Sequence, residues 1–228
     1  MATGGQTDKC GAVVKDFAGE FETHLTVVCT SMAGDEGRLR RWAERHRVKY
    51  TRIVLDRGAT PDQPMLTVRG HGGLQAQRKA AQIWIERLCA EGFSVARVKI
   101  EAAPWNEDVP RTAAEAQGLP PGCYFEHHVK LALTDETEMA AVRALAERHT
   151  AHVSRNARRD LGGRGHERFV TQRCRGVSRP EARRRLDALL DALRTAGFKA
   201  VEVEEEFVVH DDRPALDSGW IDEKADGR

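Results

Sequence analysis

The chain of 228 residues has almost no excess of charge: 36 lysines and arginines stand against 35 aspartates and glutamates. That balance excludes a uniformly basic nucleic-acid coat and an acidic tail, and leaves room only for local patches. No run approaches the ~18 apolar residues of a membrane-crossing helix, so no membrane association is expected. Residues 1–8 are rich in Gly and Thr and lack the apolar stretch of a signal peptide. The five cysteines, at 10, 29, 89, 123 and 174, are odd in number, and no pair has the close spacing of a zinc knuckle or redox motif. A reducing, cytoplasmic setting is expected. Cys29, Cys89 and Cys174 lie in apolar-periodic segments and are expected to be buried and inert. Aromatic residues are only 6% of the chain. What remains is ordinary globular material, 40% apolar, enough for one large domain or two small ones.

The chain repeats itself. Phe21-Glu22-Thr23-His24-Leu25-Thr26-Val27 matches Phe125-Glu126-His127-His128-Val129-Lys130-Leu131. Ala43-Glu44-Arg45-His46 recurs as Ala146-Glu147-Arg148-His149, Arg69-Gly70 as Arg175-Gly176, and Glu91-Gly92-Phe93 as Ala196-Gly197-Phe198. All four pairs keep their order at separations of 103 to 106 positions. The sequence therefore reads as a duplication: a tail over 1–19, units over 20–104 and 122–210, a Pro/Gly-rich linker over 105–121 and a second tail over 211–228. Leu216 and Trp220 could dock from that tail.

Each unit predicts the same elements. Alternating strands are expected at 21–29 and 124–133, helices at 35–46 and 136–149, and paired strands at 51–55 with 65–69 and at 152–156 with 168–174. Longer amphipathic helices follow at 74–90 and 179–195, then closing strands at 94–101 and 199–209. Asp135 with Glu138, and Ser178 with Glu181, have capping-box spacing. Gly92 and Gly197 are placed to end the long helices. The order βαββαβ, twice, is the split βαβ pattern of ferredoxin-like folds. The expected class is α+β, with two antiparallel sheets, each carrying helices on one face.

Strand parity then sorts side chains by face. Phe21, Leu25 and Val27, and likewise Phe125, Val129 and Leu131, should pack on helices. Glu22, His24 and Thr26 point the other way, with Thr67, Arg69, Arg97, Lys99 and Glu101. In the second unit Glu126, His128 and Lys130 do so, with Thr171, Arg173, Arg175, Glu202, Glu204 and Glu206. Such a surface can simply be a solvated antiparallel face. Two open faces meeting in one chain would instead make a charged cleft. There Arg69, Arg97, Lys99, Lys130, Arg173 and Arg175 would hold phosphate oxygens. Glutamates two apart on a strand lie ~7 Å from each other, so Glu126, Glu204 and Glu206 could share a hydrated Mg²⁺ with a phosphate. His24 and His128 would serve as acid and base, because imidazole titrates near neutrality.

Two families resemble parts of this pattern. Glu20-Phe-Glu22-Thr-His24 resembles the opening Glu-x-Glu-x-Lys of the CYTH/triphosphate tunnel enzymes, with histidine in place of lysine. Leu66-Thr-Val-Arg69 resembles their basic strand and Glu202-Val-Glu204 their late acidic one. That resemblance implies a bipartite α+β scaffold, a tunnel lined by both charges and Mg²⁺-assisted attack on a triphosphate. His24-Leu-Thr26-Val is similar to the His-x-Thr/Ser of the two-histidine phosphoesterases. His128-Val-Lys130-Leu holds the repeat-related position with lysine for the hydroxyl residue, and His152-Val-Ser154 matches out of register. That resemblance implies a histidine pair acting on a cyclic phosphate or RNA end.

Other segments are weaker pointers. Arg69-Gly-His-Gly-Gly73 precedes a helix whose free N–H groups could cradle phosphate. Leu161-Gly-Gly-Arg164-Gly-His166-Glu-Arg168 is a second Gly/Arg loop, and the arginines between 155 and 185 could touch RNA. His210-Asp211-Asp212 could ligate a metal, and Trp42, Trp105 and Trp220 read as packing residues. The expected function is binding, with hydrolysis or transfer, of an organic phosphate or RNA phosphate in a charged cleft. The competing reading is a non-catalytic tandem module for a protein partner or small ligand. Convergence of the two charged faces separates them, and the sequence does not set the oligomeric state.

Overall fold

A computed structural model describes residues 15–29, 32–134, 136–157 and 166–220, apart from the side chains of Met32, Ala33 and Glu136. The first half runs β1 (Gly19–Val28), α1 (Met32–His46), β2 (Lys49–Leu55), β3 (Asp62–Gly72), α2 (Leu74–Ala90) and β4 (Ser94–Ala102). A short helix α3 (Ala113–Gln117) precedes β5 (Tyr124–Leu133), α4 (Met139–Arg148), β6 (Ala151–Asn156), β7 (His166–Arg175), α5 (Arg179–Thr195) and β8 (Ala200–Asp211). The result is a mixed α+β fold with antiparallel strands throughout.

The expected first strands are central: β1 lies between β3 and β4, and β5 between β7 and β8. The two expected sheets, however, are one. The strands close into a barrel in the order β1-β3-β2-β6-β7-β5-β8-β4. Like edge meets like edge, β2 on β6 and β4 on β8. The physical reason is edge pairing, since an open β2 or β4 would present unpaired N–H and C=O groups. Eight strands enclose an interior just wide enough for side chains or one small ligand.

The helices stand outside the barrel, and so does the apolar core. In the first half Leu25, Leu66, Val98 and Ile100 share a cluster with Trp42 of α1 and with Ala81 and Leu88 of α2. In the second half Val129, Leu131, Val153 and Val170 meet Val142 and Leu145 of α4 and Leu186, Leu189 and Leu193 of α5. The long helices end alike. Gly92 (φ 80°) and Gly197 (φ 87°) take the left-handed conformation, and the next N–H groups, Phe93 and Phe198, bond back to Leu88 and Leu193. This is the Schellman arrangement, and it explains why Gly-Phe recurs.

The helix starts depart from expectation. At α2 the Leu74 N–H bonds Asp16 O, the Gln75 N–H bonds the Asp16 carboxylate, and a Cβ on Gly73 would lie 1.7 Å from Asp16 Oδ2. The Gly-rich start is therefore no open phosphate cradle, because Asp16 already serves as its anion. At α5, Ser178 makes no side-chain cap bond, and Glu181 is drawn off by Arg184 and Arg185. Asp135 lies outside the described residues, while Glu138 accepts from the Thr134 N–H at 2.8 Å. The arginines at 158, 159 and 164, and the Gly/Arg loop before His166, also lie outside them.

The expected linker is packed rather than loose. Thr112 and Glu115 form a capping box on α3. Asn106 is buried, accepting from the Glu20 N–H and donating to Phe17 O and Glu20 O. Gly19 (φ 147°) lets it approach, since a Cβ there would lie 2.2 Å from Asn106 Oδ1. Asn106→Ala is expected to cost about 1–3 kcal/mol, the penalty for orphaned buried backbone groups. Urea unfolding checks this, and a loss under ~0.5 kcal/mol would show the segment to be loosely attached. Among the cysteines, Cys174 is buried, Cys29 half-buried and Cys89 exposed. Cys89 departs from the expected burial because it falls on the outer side of α2. Trp105 is likewise exposed rather than packed. Among the described residues no helix is long and apolar enough to cross a membrane.

Candidate functional site

With most apolar side chains outside, strand parity turns the polar set inward, where Ile53, Leu55, Met65 and Phe169 join it. The lumen holds a cavity of about 220 Å³. Its walls take Glu22, His24 and Thr26 from β1, Arg97 and Lys99 from β4, Glu126, His128 and Lys130 from β5, Arg173 from β7, and Glu202, Glu204 and Glu206 from β8. The faces expected on separate sheets thus converge. Two expected phosphate-binding residues do not join them. Arg69 leans outward, its side chain 82% exposed, and pairs with Glu22. Arg175 stacks over the Tyr124 ring, its guanidinium 4.2 Å from the centroid.

The register corrects one alignment. β1–β3 sets Glu22 against Arg69, and β5–β7 sets Glu126 against Arg173. Arg173, not Arg175, is the positional counterpart of Arg69. The Glu–Arg pair is made twice, with Nε–Oε1 distances of 2.8 and 2.6 Å, once at the surface and once buried.

The histidines are also matched. His24 Nδ1 lies 2.9 Å from Thr67 Oγ1 and Nε2 2.5 Å from Glu101 Oε2. His128 Nδ1 lies 3.0 Å from Thr171 Oγ1, with Nε2 3.4 Å from both Glu126 and Glu206. Burial opposes charge on each imidazole, but the carboxylates prevail. His24 is raised by Glu101, and His128 is raised to about 10 by hydrogen bonds to Glu126 and Glu206. His128 is thus an imidazolium cation at neutral pH, suited to steady an anion or give up a proton, and His24 is shifted in the same direction. Out of register, His152 packs against Trp220.

Lys99, its side chain 12% exposed, lies between Glu101 and Glu126. Burial alone would push those carboxyls up; Lys99 and His24 hold Glu101 low, and Lys99 and Arg173 hold Glu126 low. Glu206 behaves oppositely, pushed up by burial and then by repulsion from Glu101. It is the lumen carboxyl best placed to carry a proton. Lys130 pairs with Glu202 at 2.7 Å.

Oxygen and nitrogen atoms of Glu101, Glu126, His128 and Glu206 lie within 4.8 Å of one another. Glu126 and Glu206 of the expected metal set are there; Glu204 lines the lumen but stands outside the cluster. The set fits Mg²⁺ poorly. Lys99, Arg173 and His128 already answer these carboxylates, and Mg²⁺ demands oxygen ligands in near-octahedral array. His210-Asp211-Asp212 forms no such centre: Asp211 pairs with Arg97, and Asp212 accepts from the Val98 N–H.

Sequence reasoning missed Asp217 and Gln63. Asp217 sits on a 3₁₀ turn (Pro214–Asp217) beyond β8 and is buried. It accepts from Arg97 Nη1 at 3.0 Å, Arg173 Nη2 at 2.7 Å and Gln63 Nε2 at 3.1 Å. No periodicity marks such a turn; Trp220, which docks beside it, was the one usable signal.

No family model and no curated protein matches the chain. Among solved structures it is similar to the acetolactate synthase small subunit from Thermotoga maritima, at 12% identity and a TM-score of 0.29, over 82% of this chain and 92% of that one. It is similar to chlorite dismutase from Candidatus Nitrospira defluvii in complex with imidazole, at 9% identity and a TM-score of 0.29, over 84% of this chain and 91% of that one. An anthrone oxidase-like protein aligns at 14% identity and a TM-score of 0.28, over 85% and 92% of the two chains.

Proposed function

We propose that the protein binds a small organic phosphate inside its barrel, with hydrolysis or transfer as the chemistry such a site would perform. One observation carries the reading: the charged faces of both halves converge on one cavity. A cavity of about 220 Å³ suits a compact polyanion better than a length of RNA. Lys99, His24 and His128 supply largely shielded positive charge, where an anion gains more than in water. Glu206, with its raised pKa, is the proton carrier, and the His128 imidazolium steadies the developing charge. The neutralised carboxylates favour binding without a metal. A strand-built lumen lined by both charges supports the tunnel-enzyme resemblance more than the two-histidine one. We also read the two βαββαβ halves as copies of one ancestral unit.

The non-catalytic reading has its own support, since each lumen arginine already has a carboxylate partner. Thermal unfolding separates the outcomes. The panel is pyrophosphate, tripolyphosphate, nucleoside triphosphates, 2′,3′-cyclic nucleotides and short RNA, with and without Mg²⁺. A ligand at 100 times its dissociation constant adds ~2.7 kcal/mol, raising the midpoint by about 5–10 °C at this size. A metal-independent rise with a small phosphate, lost in Lys99→Met, is expected. No rise with any member would remove the phosphate reading.

A further inference from the structure

Among the described lining residues, all but Asp217 and Trp220 belong to barrel strands. The segment that carries them crosses from the end of β8 to the β2–β3 turn. Ala59 N–H bonds Ser218 O at 3.0 Å. Trp220 Nε1 bonds Val153 O at 2.9 Å, and Arg57 Nε reaches Trp220 O at 3.4 Å. Gly58 permits this closeness, since a Cβ there would lie 3.0 Å from the Trp220 nitrogen. No long strand ladder holds residues 212–220: Asp212 bonds Val98 of β4, Ser218 makes a single bridge, and the rest is held by turn bonds, one indole and the Asp217 carboxylate.

Donors from three strands meet on the carboxylate this segment delivers. Gln63 comes from β3, Arg97 from β4 and Arg173 from β7, and all bond Asp217. Each arginine has a further carboxylate from the barrel itself, Asp211 for Arg97 and Glu126 for Arg173. The seat therefore remains one-to-one in charge when Asp217 leaves, and an incoming oxyanion meets the same donors. Arginine forks accept carboxylate and phosphate oxygens alike.

We propose that Gln63, Arg97 and Arg173 form an oxyanion subsite of the lumen, and that residues 212–220 are a strap whose Asp217 fills the subsite until a ligand's phosphate or carboxylate displaces it. This rests on the lumen being a ligand site and adds how that site is gated. Ligand affinity is then lowered by competition from within the chain, as for any site available only part of the time.

The test uses the full chain with pyrophosphate and tripolyphosphate as phosphate probes and citrate as the carboxylate probe. Affinity is measured by calorimetry for wild type, Asp217→Asn and Trp220→Ala, each first shown folded by circular dichroism. Both variants loosen the strap, and each is expected to bind the preferred probe at least tenfold more tightly. The better probe identifies the oxyanion class. Equal affinity in all three proteins overturns the strap while leaving the lumen reading intact. Binding by no protein overturns both. Should Asp217→Asn not fold, the wild type carrying 5-fluorotryptophan decides, with the Trp220 resonance assigned by Trp220→Phe. A bound probe that moves this resonance to a solvent-exposed position supports the strap; a bound probe that leaves it in place overturns it.

Discussion

Glu126→Gln is expected to lower stability by about 3–5 kcal/mol, the usual cost of removing one partner from a buried ion pair. Glu126 is 1% exposed and meets Lys99, Arg173 and His128. The substitution keeps the side chain's shape and leaves the cations around it one carboxylate short. The matched pair at the surface supplies the control. Glu22→Gln releases Arg69, whose side chain is 82% exposed, and should cost about 0–1 kcal/mol. The two variants change the same pair in different surroundings. Urea unfolding of both, with the thermal midpoint of Glu126→Gln falling by about 6–20 °C, checks the claim. Equal losses would mean that burial is not what gives the inner pair its weight.

Stability is expected to fall as pH rises from about 6.5 to 8.5. An unfolded imidazole loses its proton near ~6.5. In the folded chain His24 is raised, and His128 is raised to about 10. Across that window the folded state holds more protons than the unfolded one, so the slope of stability against pH is negative. Each histidine still protonated contributes about 1.4 kcal/mol per pH unit. The contribution is fully present below ~6.5 and is gone for His128 above about 10. His127 and His210 are shifted downward, so their effect falls below this window. Cys29 and Cys174, pushed up to about 11 by burial, would mask the slope at higher pH. Urea midpoints at pH 6.5, 7.5 and 8.5 for wild type and His128→Gln make the comparison. A slope unchanged in the variant would rule His128 out as its source.

The parts legible in sequence are those with a period. The helices at 74–90 and 179–195, and the sorting of Glu22, His24, Glu126 and His128 away from Leu25 and Val129, follow from spacings of 3.6 and 2. Closure of the barrel was not legible, because β2–β6 and β4–β8 join residues about a hundred positions apart and parity cannot tell an open face from a lumen. Arg69 and Arg173 show the limit well. Their parity is the same, yet one meets solvent and the other is sealed by the segment around Asp217. Asp16 and Asn106 were invisible for a related reason, since each acts through backbone groups of a distant segment. Parity puts Val201 and Val203 on the apolar, helix-facing side of their strand, yet they stay 49% and 41% exposed.

The two seams of the barrel have a consequence for how the chain is made. Both outer strands of the first half, β2 and β4, await partners that lie in the second. The last of these, β8, ends at Asp211, and β4 ends at Ala102. At roughly 5–20 residues per second, a ribosome takes on the order of 5–20 s to cover that interval. For the first half of it, until β6 ends at Asn156, the nascent first half has no partner for either strand edge, and for the rest β4 still has none. Nascent copies of this half emerging on neighbouring ribosomes offer one another matching edges, so the spacing of ribosomes on the message becomes a factor in yield.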